Sequence, residues 1–350
     1  MTLNVGVIGV GMIGQDHIRR ITHVVSGARI SAVTDVDFDR AKAVAADLPA
    51  AGQKSCQALQ TGQELIDDPE VDAIVVASWG PTHEEYVLAS IAAGKQVFCE
   101  KPLATTREAC ERILDAEVAT GKRHVMVGFM RRYDEAYRAM KATIASGDIG
   151  APLMFHSGHR NPSVPPHYTS DMIINDTCVH DVDVARFLLD DEIVSARVLT
   201  PRKNSLASDH LTDPVLFIFE MAGGALVDVE ASINIQYAYD IRGEVVGESG
   251  TVELAETNKV VVKKGGQWGG RVAEDWRDRF IRAYDTEFQE WINAAKKGES
   301  TGPSSWDGYA ATVVCAAGLQ AMESGERVEV SLREQPDLYK ATAQGPTGTD

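Results

Sequence analysis

The run Val5-Gly6-Val7-Ile8-Gly9-Val10-Gly11-Met12-Ile13-Gly14, with Asp35 twenty-one residues beyond its last glycine, decides how this chain is read. A short apolar stretch leads into Gly-x-Gly-x-x-Gly, then a helical pattern, then a second apolar run, Ala28 to Thr34, that ends at an acid. The order is strand, tight turn, helix, strand. Gly9, Gly11 and Gly14 let the backbone turn sharply and approach a pyrophosphate, and the helix that follows, with Met12 and Ile13 in its first turn, offers N–H groups and the positive end of its dipole. Asp35 at the tip of the second strand suits the ribose hydroxyls of an adenosine, with Val36 beside it. The expected ligand is a dinucleotide. The alternative is a glycine-rich turn that serves packing alone. Asp35 would repel a 2′-phosphate and Val36 brings no positive charge, so NAD is expected over NADP; Arg40, a turn away, argues the other way.

The helix after the loop is expected to bury Gly14, Ile18, Ile21 and Val25, and a second helix runs from Asp39 to Asp47, closed by Leu48-Pro49. Val71 to Ala77 is apolar throughout, as in a strand covered on both faces. It ends in Ser78-Trp79-Gly80-Pro81-Thr82-His83, a turn into a helix over 83–93 that stops at Gly94. Gln96 to Cys99 is a further strand. Thr105 and Glu108 form a capping box for a helix ending near Gly121, and His124 to Val127 is a sixth strand. Strands alternating with helices predict a doubly wound parallel sheet of the Rossmann type over residues 1–127.

The pattern then changes. A helix is expected over 131–146, ending at Gly147, and beyond it come longer strands with fewer helices. Val227, Val229, Ala231, Ile233 and Ile235 alternate with polar residues, the mark of a strand with one buried face; Val215 to Phe219 is apolar at both parities and reads as central. Phe280, Tyr284, Phe288 and Trp291 fall on one helical stripe and read as core, with Tyr284 the exception to watch. Residues 128–340 are thus an α+β domain with a large, open, mostly antiparallel sheet, and 341–350 a loose polar tail.

The chain has 350 residues, enough for two domains with cores of their own, and is 44% apolar and 24% charged. A net charge of −17 argues against nucleic acid and anionic membranes as partners, because both select basic surface. The five cysteines are scattered and lack a C-x-x-C, which reads as reduced thiols in a cytoplasm. The start of the chain enters the first strand without a basic leader, so no signal peptide is expected. No apolar stretch nears the roughly 18–20 residues that span a bilayer.

Ligands of doubly wound sheets sit beyond the carboxyl ends of the strands. Three polar segments fall there: Ser78 to His83, including Trp79; Glu100-Lys101-Pro102; and Arg131-Arg132-Tyr133-Asp134. Lys101 follows a buried strand directly and is pinned by proline, so its ammonium can lie beside a nicotinamide and bond a substrate hydroxyl; the alternative is a surface pair with Glu100. Asp176 and His180, four apart, share one face if helical, with Val179 and Val182 toward the core. A carboxylate beside an imidazole suits proton transfer from an alcohol, and equally suits a helix cap with a satisfied histidine one turn on. His156, His159 and His167 are the histidines a metal would draw on, but strand residues three apart, such as His156 and His159, face opposite ways, and no metal is expected. Cys178 sits in an apolar stretch and is a poor nucleophile.

With these residues in hand, the whole chain resembles the family of glucose–fructose oxidoreductase and inositol dehydrogenase. The marks are the Gly9–Gly14 loop, Glu100-Lys101-Pro102-Leu103-Ala104, Gly128-Phe129-Met130-Arg131-Arg132-Tyr133-Asp134, His159-Arg160-Asn161-Pro162, Asp176 with His180, Tyr237-Ala238-Tyr239-Asp240 and Ser305-Trp306-Asp307-Gly308-Tyr309. The resemblance implies a homotetramer and a catalytic set of Lys101, Asp176 and His180. It implies a polyol pocket lined by Met130, Arg131, His159, Tyr239, Trp276 and Tyr284, and a dinucleotide site that includes Ser78, Trp79, His83, Glu100 and Lys101. It implies a Lys101–Pro102 peptide that is often cis. The implied activity is oxidation of myo-inositol to 2-keto-myo-inositol with hydride transfer to NAD+. The alternatives are the scyllo- or D-chiro-isomer, a pyranose at C1, or a non-catalytic dinucleotide-binding regulator. Around the histidine the chain reads Cys178-Val179-His180-Asp181, with a shorter acid after the histidine than such relatives often carry.

Overall fold

The computed structural model describes residues 2–48, 55–255 and 260–340, so Pro49 and the expected tail over 341–350 lie outside the described residues. Two compact units emerge. The first holds the described chain up to Gly128, the segment Phe288–Ala310 and the described residues from Leu332 on; the second holds Phe129–Glu287 and Ala311–Ser331.

In the first unit, six strands pair in parallel: β1 (Leu3–Ile8), β2 (Ala28–Thr34), β3 (Gln57–Ala58), β4 (Ala73–Val76), β5 (Gln96–Cys99) and β6 (Val125–Val127), in the order β3-β2-β1-β4-β5-β6. Strands covered on both faces need apolar side chains at successive positions, and β4, β5 and β6 are buried at every residue. Helices α1 (Met12–His23), α2 (Phe38–Asp47), α3 (Gly62–Asp67), α4 (His83–Ala92) and α5 (Arg107–Thr120) make the connections. The strand order reverses between β1 and β4, where doubly wound sheets open a crevice. Phe288 packs its ring 4.3 Å from that of Phe98, and Trp291 packs 5.8 Å away. Two local expectations are corrected. The cap of α5 is Thr106, whose hydroxyl accepts from Ala109 N–H at 3.2 Å, because Thr106 rather than Thr105 stands three residues before an unpaired amide. Helix α1 ends at His23, leaving Val25 outside it, and buries His17 and Arg20 alongside Ile18 and Ile21.

The second unit is built on a seven-stranded sheet in the order β12-β11-β7-β10-β9-β8-β15. The strands are β7 (Pro152–Arg160), β8 (Ile193–Leu199), β9 (Val215–Met221), β10 (Leu226–Ser232), β11 (Asp240–Gly247), β12 (Thr251–Glu253) and β15 (Val328–Glu329); β13 (Val262–Lys264) and β14 (Gln267–Gly269) form a separate hairpin. Only β7 with β10 pair in parallel, so the sheet is mixed but mostly antiparallel. Val227, Val229 and Ala231 are buried as their alternation requires, but β10 stops at Ser232, so Ile233 and Ile235 lie beyond it. Strand β9 is interior in the sheet order yet covered on one face only, for Leu216 and Ile218 are half-exposed.

Helix α10 runs over Ser305–Ser324, and against the covered face lies its part from Ala311 on, where a Cβ added to Gly318 would fall 2.3 Å from the Phe217 ring. Of α9 (Trp276–Ala295), Phe280 and Tyr284 belong to this unit and are buried. The helix expected over 131–146 is broken. Met130–Tyr133 is a 3-10 turn, and Asp134 caps α6 (Glu135–Ser146) by accepting from Tyr137 N–H at 3.2 Å, since a short carboxylate competes for the first free amides. One helical turn α7 (Ser170–Met172), a π-helical stretch Ile173–Cys178 and α8 (Val179–Leu189) follow. Asp176 and His180 therefore do not share one regular α-helical face. Asp176 lies in the wider π-helical stretch, and the start of α8 is buried at Val179, His180, Asp181 and Val182 alike. Such stretches are rare and frequent at functional sites.

Candidate active site

The three glycines of the first loop are glycine for different reasons. Gly9 has φ +93, and a Cβ there would sit 2.6 Å from Ser78 N. A Cβ on Gly14 would meet the Gly9 carbonyl oxygen at 2.0 Å. Both are demanded by the protein's own packing. Gly11 has an ordinary φ of −70 and nothing within 4 Å of an added Cβ. Neither packing nor conformation requires a glycine there, and the missing side chain leaves the loop open to close approach. Gly11 caps α1 without any side-chain hydrogen bond, and no acid occupies the first turn, so the N–H groups there suit an anion.

Asp35 Oδ2 accepts from Val10 N–H at 2.7 Å and Oδ1 from Asp37 N–H at 2.9 Å, which fixes the carboxylate beside the loop. The Arg40 guanidinium lies 3.6 Å from Asp35 and 3.3 Å from Asp37. Around the strand ends Met12, Val36 and Trp79 leave large apolar side chains exposed, Ile13 is half-buried, and Ser78 Oγ pairs with Thr82 Oγ1 at 2.8 Å. Open backbone donors, a placed carboxylate and bare apolar rims fit a dinucleotide.

Lys101 stands at the end of β5, half-buried, and its peptide to Pro102 is cis. Glu100 beside it turns inward instead of pairing on the surface. Its Oε1 accepts from His17 Nε2 at 2.7 Å and its Oε2 from the Lys101 N–H at 3.2 Å. His17 Nδ1 accepts from Arg20 Nη1 at 2.8 Å, and Arg20 also reaches Asp16 at 2.8 Å. An imidazole that accepts at one nitrogen and donates at the other is neutral. Burial drives the His17 pKa below its ordinary value, against the pull of Glu100. Burial works against the Glu100 charge too, but the His17 hydrogen bond and the Lys101 charge hold its carboxyl below the usual range. His83, buried, places Nδ1 2.7 Å from the Pro102 carbonyl and Nε2 3.0 Å from the Ser78 carbonyl, tying two strand-end loops together.

In the second unit His180 lies in the first turn of α8, its ring 6.5 Å from those of His159 and Phe129. Asp176 is half-buried and accepts from the Tyr168 hydroxyl at 3.2 Å. Arg131, His159 and Tyr239 gather nearby. Arg131 Nη2 is 3.0 Å from His159 Nδ1, and the His159 and Tyr239 rings meet at 6.0 Å. Trp276 and Tyr284 contact edge to face at 5.4 Å. Met130 is buried beside Arg131 in the 3-10 turn. His156 and His159 do face opposite ways along β7, toward Asp228 and Asp181 respectively. Among the described residues no histidine, cysteine and acid side chains group as a metal site. Burial pushes the Cys178 thiol well above its ordinary value, so it stays protonated. Sequence reasoning passed over His17, Tyr168, Ser157 and Asp181. Only the unusual Asp181 left a trace there; the others are common residue types whose partners lie far away along the chain.

A parallel sheet with this glycine loop, followed by a mixed-sheet unit rich in buried histidine and carboxylate, defines the class of dinucleotide-dependent oxidoreductases. The chain belongs to the oxidoreductase family whose NAD-binding Rossmann fold matches residues 3–129 and whose C-terminal alpha/beta domain matches residues 141–330. It is 53% identical to inositol 2-dehydrogenase 3 of Saccharopolyspora erythraea, over 98% of this chain and 100% of that one. It is 51% identical to inositol 2-dehydrogenase of Serratia proteamaculans, over 97% and 99%. Among solved structures, myo-inositol dehydrogenase from Lactobacillus casei in complex with NAD(H) and myo-inositol is 38% identical, with a TM-score of 0.94 over 97% of this chain and 100% of that one. No helix among the described residues is long and apolar enough to cross a membrane.

Proposed function

We propose that this protein oxidises the 2-hydroxyl of myo-inositol to the ketone, giving 2-keto-myo-inositol, with NAD+ as acceptor. The observation that carries the reading is the 53% identity to an inositol 2-dehydrogenase across essentially the whole of both chains. NAD+, when bound, supplies the acceptor for the carbon-bound hydrogen as hydride; Gly9, Gly11, Met12, Ile13, Gly14, Asp35, Val36, Ser78 and Trp79 hold it. His180 takes the hydroxyl proton as general base. Lys101 hydrogen-bonds the reacting oxygen and stabilises the negative charge that develops on it. Asp176 orients His180 or the neighbouring substrate hydroxyl. Met130, Arg131, His159, Tyr239, Trp276 and Tyr284 line the polyol pocket. Glu100 and His83 serve the dinucleotide side by holding the Lys101 loop, which their inward hydrogen bonds favour. Asp35 disfavours the 2′-phosphate of NADP, and Arg40 is drawn toward Asp35 and Asp37.

The reading extends to a homotetramer in the cytoplasm. Resemblance of the whole chain to its family supports the first, and five free cysteines support the second. The test is NADH absorbance on mixing the protein with NAD+ and myo-inositol at mildly alkaline pH, where proton release draws the oxidation forward. Turnover is expected with myo-inositol, less with NADP+ in place of NAD+. His180→Ala should lower the rate about 10²–10⁴-fold with NADH affinity retained. Faster turnover of scyllo-inositol, D-chiro-inositol or glucose would replace the substrate, and an unchanged rate in H180A would remove His180 from the reaction.

A further inference from the structure

Asp181 follows His180 directly in α8 and has no exposed surface. Three donors converge on its carboxylate: Arg131 Nη1 at 2.7 Å and Ser157 Oγ at 2.9 Å on Oδ1, and His159 Nδ1 at 2.7 Å on Oδ2. The donors come from the 3-10 turn Met130–Tyr133 and from β7, so one carboxylate joins three elements. Two of the three donors are residues placed in the polyol pocket above. We infer that Asp181 is a positioning residue of the polyol site, holding His159 as the neutral Nδ1–H tautomer so that its Nε2 accepts from a substrate hydroxyl. This rests on the functional reading above.

The tautomer follows from the contacts. His159 Nδ1 lies 2.7 Å from Asp181 Oδ2 and 3.0 Å from Arg131 Nη2, and the same Nη2 stands 3.5 Å from His159 Nε2, at the outer limit of a hydrogen bond. An ionised carboxylate only accepts and a guanidinium only donates, so the Nδ1 position must satisfy one or the other. The shorter contact to a charged acceptor puts the proton on Nδ1. A second proton on Nε2 would set an imidazolium against the Arg131 cation, with one carboxylate to serve both. His159 therefore keeps a lone pair on Nε2. Burial alone would push the Asp181 carboxyl up; the Arg131 charge and His159 outweigh it and hold the group ionised, far below the usual range.

The chemistry of a polyol gives the arrangement a use. Every hydroxyl both donates and accepts, and Arg131 offers donors alone. Each substrate O–H that finds no acceptor in the site costs affinity. A neutral imidazole with a fixed lone pair adds an acceptor to those of Asp176 and His180, and the carboxylate behind it fixes which nitrogen accepts.

Asp181→Asn tests this. The amide still offers an oxygen to Arg131 but presents an N–H to His159, which favours the opposite tautomer. The expected result is at least a tenfold rise in the KM for myo-inositol, a smaller fall in kcat, and a Kd for NADH within twofold of wild type. In a His159→Ala background the same change should alter KM less than threefold, because its route of action is gone. A KM within twofold of wild type, or an effect undiminished in H159A, overturns the inference. Should D181N fail to fold, nitrogen spectra of the [15N]histidine-labelled wild type, assigned with His159→Gln, decide it. A neutral Nδ1–H ring supports the positioning role, and an Nε2–H ring or an imidazolium overturns it. Wild type that fails to reduce NAD+ when given any inositol isomer overturns the functional reading instead, and leaves the labelled spectrum to judge Asp181.

Discussion

Two buried carboxylates each stand next in sequence to a residue proposed to act in the reaction, and they do different work. Glu100, before Lys101, spends one oxygen on a neutral histidine and the other on the Lys101 backbone N–H. Asp181, after His180, gathers side chains from other elements, one of them the permanent cation of Arg131. Glu100 thus fixes where its neighbour's chain begins, and Asp181 fixes groups that are not its neighbours at all. The lesson is one of dielectric and partner type. A buried carboxylate that faces a fixed cation is held ionised and depends on that cation. One that faces a neutral imidazole and an amide depends on hydrogen bonds that a neutral side chain can partly replace.

The largest effect should come from stripping Asp181 of its cation. Arg131→Met keeps bulk beside Phe280, over whose ring the guanidinium lies at 5.7 Å, but leaves a fully buried anion served by Ser157 and His159 alone. Removing one partner of a buried pair costs about 3–5 kcal/mol, and urea unfolding at neutral pH should read a loss of that size. A loss below about 1 kcal/mol would mean that water or another group already serves Asp181, and the contrast with Glu100 would fail.

Glu100→Gln should cost less, about 1–3 kcal/mol, since the amide still accepts from His17 and only the bond to Lys101 N–H is left unmatched. The same unfolding measurement sharpens the comparison. If E100Q proved the more destabilising of the two, the neutral reading of His17 would be wrong, and the first network would be an ion pair like the second.

How much of this was legible in the sequence differs between the two regions in the same way. The glycine loop, β1 and the acid at position 35 are local signals, and the doubly wound sheet followed from them because each strand–helix step repeats the same short-range pattern. Lys101 was legible for the same reason, as a residue pinned at a strand end. The alternation of Val227, Val229 and Ala231 announced a one-faced strand in the second unit. What the sequence hid is set by distance along the chain. Asp181 meets Arg131 across fifty residues and His159 across twenty-two, and no spacing rule links a 3-10 turn, a strand and a helix. His17 meets Glu100 across eighty-three. The cap at Thr106 and the break at Asp134 were missed at closer range, because adjacent Thr105 and a continuous apolar pattern offered equally good local solutions that the surrounding structure then chose between.

The smallest effect is a slope in pH, and it separates the networks by sign and window. His17 is buried with Glu100, Arg20 and Asp16 around it, and burial, outweighing Glu100, holds its pKa below the 6.5 of a free histidine. Below that value the unfolded chain binds a proton that the folded one refuses, so stability rises with pH in this window and is lost as pH falls from about 7 toward 5. The Asp181 carboxyl is lowered from 3.8, so what it contributes is intact above that value and is lost only as pH falls toward its much lower folded pKa. Between pH 7.5 and 5, acidification should therefore weaken the protein through His17, while the Asp181 carboxylate stays ionised throughout. His17→Gln, which can still donate to Glu100, should flatten the dependence of unfolding free energy on pH across that range, whereas Asp181→Asn should leave the slope as in wild type. His83, buried and lowered in the same direction, keeps a residual slope in both variants, so the difference between them, not its complete loss, is the quantity to measure. A slope made steeper in H17Q than in wild type would show that His17 carries its proton in the folded state, and Glu100 would then belong with Asp181 as a carboxylate held by a cation.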